Sequence, residues 1–161
     1  VFEVNGEALI FERDYALPRV IVWDALVDPD LVSGWFGEAM IAPEVGGEYN
    51  LRWGAHAESL GRITELRPFE RLVLETTGLG RLAFELAEFP GGSRDTSTHI
   101  RLRVEDQADP GAKSSLVADW LTRLDQLEEL LRGHPVDWAN WERDWRETWS
   151  RYRAEAEEAP A

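Results

Sequence analysis

Between residues 38 and 105 glycine and proline cut the chain at short intervals, and this punctuation restricts the fold more than any other feature. The segments EAMIAP, EYNLRW, SLGRITEL, RLVLETT, RLAFELAEF and STHIRLRVE are set apart by Gly46-Gly47, Arg67-Pro68-Phe69, Gly78–Gly80 and Pro90-Gly91-Gly92. Connections this short, falling roughly every ten residues, suit antiparallel hairpins and leave no room for crossover helices. Tyr49, Leu51 and Trp53 alternate with Asn50 and Arg52. Glu85, Ala87, His99, Arg101, Arg103 and Glu105 mark a polar face. The pattern predicts an antiparallel sheet with one side in water. Arg52, Glu75, Glu85, Arg101 and Arg103 are expected to form ion pairs across that outer side.

Helical signals flank the strands. Residues 8–16 read as a strand with Leu9, Phe11 and Tyr15 on one face, interrupted by Arg13. Pro18 opens a helical stretch with Val20, Trp23 and Val27 in phase. Asp28 is placed to cap a second short helix that Gly34 and Gly37 end. After Asp109-Pro110-Gly111, Ser114 or Ser115 is placed to cap a long helix stopped by Gly133 and Pro135. Its stripe holds Val117, Trp120, Leu121, Leu124, Leu127 and Leu131, and Leu116 and Leu130 widen it beyond the need of a simple core helix. A further helix follows, with Trp138, Trp141, Trp145, Trp149 and Tyr152 along one side. The reading is α+β: a curved antiparallel sheet of six to seven strands around the long helix, spanning 1–133, with a helical extension over 134–161. The extension is expected to fold back on the flank marked by Leu116, Leu127 and Leu130, or to dock on a second copy as a two-fold dimer.

Several motifs in order resemble the activator of Hsp90 ATPase homology family of the START-like (SRPBCC) superfamily. Arg13, Val22-Trp23-Asp24-Ala25-Leu26, Asp28-Pro29 and Trp35-Phe36-Gly37 match its opening. Val45-Gly46-Gly47-Glu48-Tyr49, Gly61-Arg62-Ile63-Thr64-Glu65, Pro68-Phe69-Glu70-Arg71-Leu72-Val73 and the helix with Trp120, Leu124 and Leu127 match its later markers. The resemblance, over about residues 8–133, implies a helix-grip fold, often with a hydrophobic cavity between sheet and helix. It does not imply one function, since relatives bind lipids or cyclise polyketides. The family pattern T-x-L-T-x-x-H is replaced by Ser97-Thr98-His99-Ile100-Arg101-Leu102-Arg103, and the Trp-rich extension lies outside the pattern.

Charge and chemistry narrow the function. With 31 acidic and 17 basic residues the formal net charge is -14, a surface expected to repel nucleic acid and anionic membranes. No apolar run approaches the ~20 residues of a membrane span. The chain has no cysteine, which removes disulfides, thiolate metal sites and a cysteine nucleophile, and fits a cytoplasmic location. His56, His99 and His134 are too scattered for a metal motif, and no phosphate-binding, dinucleotide or nucleophile-elbow pattern occurs. No cofactor, metal or catalytic residue is expected. The candidate site is the inward apolar set Trp35, Phe36, Tyr49, Leu51, Trp53, Phe84, Ile100, Leu102, Trp120 and Leu124. These residues either fill the core or line a cavity for a small hydrophobic molecule, with Tyr49, Trp53 and Trp120 as polar anchors. The leading expectation is a non-enzymatic binding protein, monomer or homodimer. A polyketide cyclase or aromatase-type enzyme is the alternative, and it is disfavoured because strand phasing turns no Asp, Glu, Lys or His inward. A third is a protein-interaction or co-chaperone-like module acting through the Trp-rich tail.

Overall fold

The computed structural model describes residues 2–5, 8–106 and 110–158. In chain order these residues form β1 (Phe2–Asn5), β2 (Ala8–Tyr15), α1 (Arg19–Val27), α2 (Pro29–Val32), β3 (Glu38–Ile41), β4 (Tyr49–Trp53), β5 (Ala57–Ser59) and β6 (Gly61–Arg67). There follow β7 (Arg71–Thr76), β8 (Arg81–Pro90), β9 (Thr96–Glu105), α3 (Lys113–Leu131) and α4 (Trp141–Glu158). The main sheet runs β1-β2-β9-β8-β7-β6 and is antiparallel throughout. Alternation places Leu72, Phe84, Leu102 and Phe11 side by side across four strands, all buried beneath α3. The outer side carries the charges: Arg71 pairs with Glu85 and Glu65, Arg81 with Glu75 and Glu105, and His99 with Asp14 and Glu12.

Two features of the sheet differ from the sequence reading. Strand β1 pairs with β2 where no strand was expected. The main sheet has six strands, within the six to seven expected, but β1 is one of them, and β3, β4 and β5 form a separate three-stranded sheet. The break falls at Leu60, and among the described residues a single isolated bridge, Glu48 to Arg62, crosses between the sheets. They meet closely at Gly61, where a Cβ would lie 2.7 Å from the Tyr49 carbonyl oxygen. That separation explains Arg52: it belongs to β4 of the small sheet and not to the outer face of the large one.

The helices follow local chemistry with one exception. The Asp28 carboxylate accepts from the Asp30 N–H at 2.9 Å and caps α2. Gly133 closes α3 with φ near 91°; His134 N–H returns to the Glu129 carbonyl and Gly133 N–H to Leu130. The other end departs from expectation: α3 begins at Lys113, and neither Ser114 nor Ser115 caps it. Ser115 instead accepts from the Arg153 side chain at 3.2 Å. Asp109 lies outside the described residues. The inward stripe of α3 meets the sheet, where Tyr15 donates to the Leu124 carbonyl at 3.0 Å. Arg13, which interrupts the apolar face of β2, pairs with Asp125 of α3 at 2.6 Å.

The extension lies along α3, and its hydrogen bonds reach polar side chains of that helix. Trp141 donates to Gln126 and Trp149 to Asp119, both at 2.7 Å, and Tyr152 donates to Asp125 at 2.6 Å. The face used is therefore polar. Leu127 is in the core, and Leu130 packs toward Gly34 and Pro135. The physical reason is that each indole carries one N–H needing an acceptor, which a leucine flank does not offer.

Candidate functional site

A cleft of about 280 Å³ lies between α3, α4 and the small sheet. Phe36, Glu38, Arg52, Trp53 and Gly54 form one side; α3 contributes Asp119, Thr122, Arg123 and Gln126; Trp138, Trp141 and Trp149 close the other. The α3 residues recur at helical spacing, so one polar stripe, adjacent to the apolar stripe buried on the sheet, makes the floor.

The Trp35-Phe36-Gly37 motif sets the first side. The Trp35 indole donates to the Ala25 carbonyl at 2.6 Å and stacks on Phe36, with ring centroids 4.6 Å apart. Phe36 meets Trp120 edge-on at 5.6 Å. A Cβ at Gly37 would lie 2.8 Å from the Trp53 indole nitrogen, so only glycine lets that ring close down. The Trp53 indole then donates to the Phe36 carbonyl at 2.7 Å. The far side is fixed in the same way. Trp138 donates to the Ser33 carbonyl at 2.7 Å, alongside the bonds of Trp141 and Trp149 already described. Gln126 completes the frame, its amide nitrogen donating to the Trp35 carbonyl at 2.6 Å.

Arg123 is the charged group at the floor. Its guanidinium carbon lies 4.7 Å from the Trp120 ring centroid, 5.5 Å from Trp53 and 5.8 Å from Phe36. Burial lowers its pKa, against the pull of Asp119 and Asp106, and an arginine so placed keeps its proton. Among the described residues no hydrogen bond or ion pair reaches it, and its Nη1 is buried without a partner. The Thr122 hydroxyl, one residue earlier, is also buried and unpartnered.

The ten residues singled out from sequence divide here. Phe36 and Trp53 line the cleft. Trp35, Tyr49, Leu51, Phe84, Ile100, Leu102, Trp120 and Leu124 do not; all eight are buried in the packed core. Tyr49 spends its hydroxyl on the Leu26 carbonyl at 2.7 Å, and burial pushes its pKa up. Two carboxylates lie on the cleft wall, outside the sheet-helix interior to which the strand phasing refers: Glu38, which is exposed, and Asp119, which belongs to the polar stripe of α3. Sequence reasoning missed that stripe. Asp119, Thr122, Arg123 and Gln126 were legible as one helical face, and the indole N–H groups of the tail required acceptors on some such face.

Residues 16–132 match the family model described as activator of Hsp90 ATPase homolog 1-like protein. The chain belongs to that family. The match covers well over half of the chain and ends at the close of α3, so α4 lies beyond the family model. Comparison with curated proteins finds no match. Solved structures of the same fold include CalU16 from Micromonospora echinospora, 24% identical with a TM-score of 0.61 over 92% of this chain and 88% of that one. DynU16, from the dynemicin biosynthetic locus, is 21% identical with a TM-score of 0.66 over 81% of this chain. The match spans only 49% of DynU16, about half its length. The Aha1 dimer from Colwellia psychrerythraea is 15% identical, with a TM-score of 0.65 over 77% of this chain and 95% of that one. At these identities the likeness concerns the helix-grip fold. Among the described residues no helix is long and apolar enough to cross a membrane, and no group of side chains is arranged to hold a metal ion.

Proposed function

We propose that this member of the family binds a small, flat, largely apolar molecule in the cleft between α3, α4 and the small sheet. One observation carries the reading: each of the four tryptophans on the cleft wall has its indole N–H bonded to the protein itself, in every case at 2.7 Å. Those rings are held in place with their polar atoms already used, so what they offer a ligand is apolar ring surface. Arg146, stacked on Trp141 and Trp149 at 4.7 and 5.0 Å, adds a further constraint on two of them. This reading puts the proposed site on the side of α3 that faces α4 and not beneath the helix. Catalysis on a bound polyketide-like molecule draws support only from Glu38 and Asp119. Asp119 gives one oxygen to Trp149, and Glu38 is exposed, an arrangement that favours binding over proton transfer.

Two experiments test the reading. Mass spectrometry of organic extracts of the purified protein is expected to find a bound aromatic or polycyclic molecule. Calorimetric titration with the neutral two-ring probe 2-naphthamide is expected to give saturable binding that weakens when Trp141 and Trp149 are changed together to alanine. Absence of binding by this probe and by its charged analogue, together with clean extracts, would overturn it.

A further inference from the structure

We propose that the molecule taken by this cleft carries a planar oxyanion, such as a carboxylate, which docks on Arg123 beside Thr122. The inference rests on the binding reading above and adds the chemical class of the ligand. Three observations converge on it. First, aromatic rings cover the Arg123 guanidinium while its N–H edge is left without a partner among the described residues, and Nη1 is buried. A guanidinium forms its hydrogen bonds in its own plane, so ring contact leaves the donors that match a carboxylate unused. Second, the Thr122 hydroxyl, on a residue only 2% exposed, is also unpartnered on the same wall. Buried polar groups are ordinarily satisfied, and two orphans at one cleft mark a place where something else completes them. Third, the cleft's two carboxylates, Glu38 and Asp119, form no ion pair with its two arginines among the described residues. Asp119, one turn before Arg123, accepts from Trp149 instead of pairing with the arginine. Arg52 lines the same cleft without an ion pair among the described residues, although Glu38 is its register partner in β3. A wholly neutral, apolar ligand would leave the arginine edge unpaired, whereas a carboxylate on an aromatic body satisfies the edge and the ring walls together.

The test compares 2-naphthoate with 2-naphthamide, which share shape and differ in charge, by calorimetric titration against the wild-type chain and Arg123→Met. The methionine keeps much of the apolar contact with Phe36, Trp53 and Trp120 while removing the charge. The expected result is that wild type prefers naphthoate by about tenfold or more. Arg123→Met should lose that preference, so that the two probes bind with affinities within about threefold of each other. Equal wild-type affinities for the two probes would overturn the oxyanion inference and leave the binding reading standing. No binding of either probe, together with clean organic extracts, would overturn the binding reading itself. A preference that persists undiminished in a folded Arg123→Met chain would remove Arg123 from the site. The wild-type comparison decides the ligand class by itself if the variant does not fold.

Discussion

Replacing Trp120 by alanine sets three terms against one another. The side chain is wholly buried, meets Phe36 edge-on at 5.6 Å and supports the Arg123 guanidinium at 4.7 Å. Emptying a packed aromatic site costs about 3–5 kcal/mol, because the surroundings collapse only in part. Loss of the cation–π contact adds up to about 2 kcal/mol where the charge is desolvated. In the other direction, the Trp120 indole N–H is buried without an acceptor, so removing it recovers about 1–3 kcal/mol of unsatisfied desolvation. The last two terms roughly cancel and the cavity decides, leaving an expected loss of about 3–5 kcal/mol. Trp120→Phe separates the contributions. It deletes the orphan N–H and keeps a ring against Phe36, so its loss should stay below about 2 kcal/mol. Urea titrations followed by far-ultraviolet circular dichroism measure both, provided the denaturant slopes agree. A loss under about 1 kcal/mol for the alanine variant, with an unchanged slope, would refute the placement of Trp120 at the centre of the core.

Trp149→Phe keeps the ring and deletes only the donor to Asp119; the same titration should show a loss of about 1–2 kcal/mol, and no loss would mean that the indole bonds do not hold α4 in place. Gly37→Ala puts a methyl group 2.8 Å from the Trp53 nitrogen, so the chain should lose about 1–3 kcal/mol and much of its naphthamide affinity. Unaltered probe binding would show that Trp53 is not part of the wall. On the outer face, the hydrogen bond to Asp14 raises the His99 pKa, burial opposes this, and Glu12, itself near Arg101, adds to the rise. A folded value above the unfolded value of about 6.5 means that protonated His99 stabilises the fold fully below that pH and progressively less as pH climbs through the raised value. The melting-temperature gap between wild type and His99→Gln should therefore narrow from about pH 5 to about pH 9, and only modestly, because the side chain is 38% exposed. A gap that widens with pH would contradict the assignment.

Much of the fold was legible because it depends on interactions close together in sequence. The period of two in RLAFELAEF and STHIRLRVE predicted which side of each strand is buried, and Leu82, Phe84, Ile100 and Leu102 are buried. The Asp28 cap and the Gly133 stop could be read in the same way, since a cap joins residues a few positions apart. The site was less legible for a definite reason. Phase tells which way a side chain points, but a cavity is what remains after the volumes of many distant side chains have been packed. Eight of the ten residues chosen by phase are buried in the core, and of the ten Phe36 and Trp53 line the cleft.

Composition and periodicity were sufficient by themselves for the antiparallel strands, the long α3 and an amphipathic tail, because each rests on local backbone preference and on the side of an element that must avoid water. Three features were decided only by the tertiary structure. The β-strands divided into two sheets where Gly61 comes against the Tyr49 carbonyl. The tail chose the polar stripe of α3, because the acceptors its indoles require lie 15 and 30 residues away in sequence. Arg123 forms no ion pair among the described residues although Asp119 stands one turn before it, and one oxygen of that carboxylate accepts from Trp149 of another helix. Competition for one acceptor between groups far apart in the chain has no local signature.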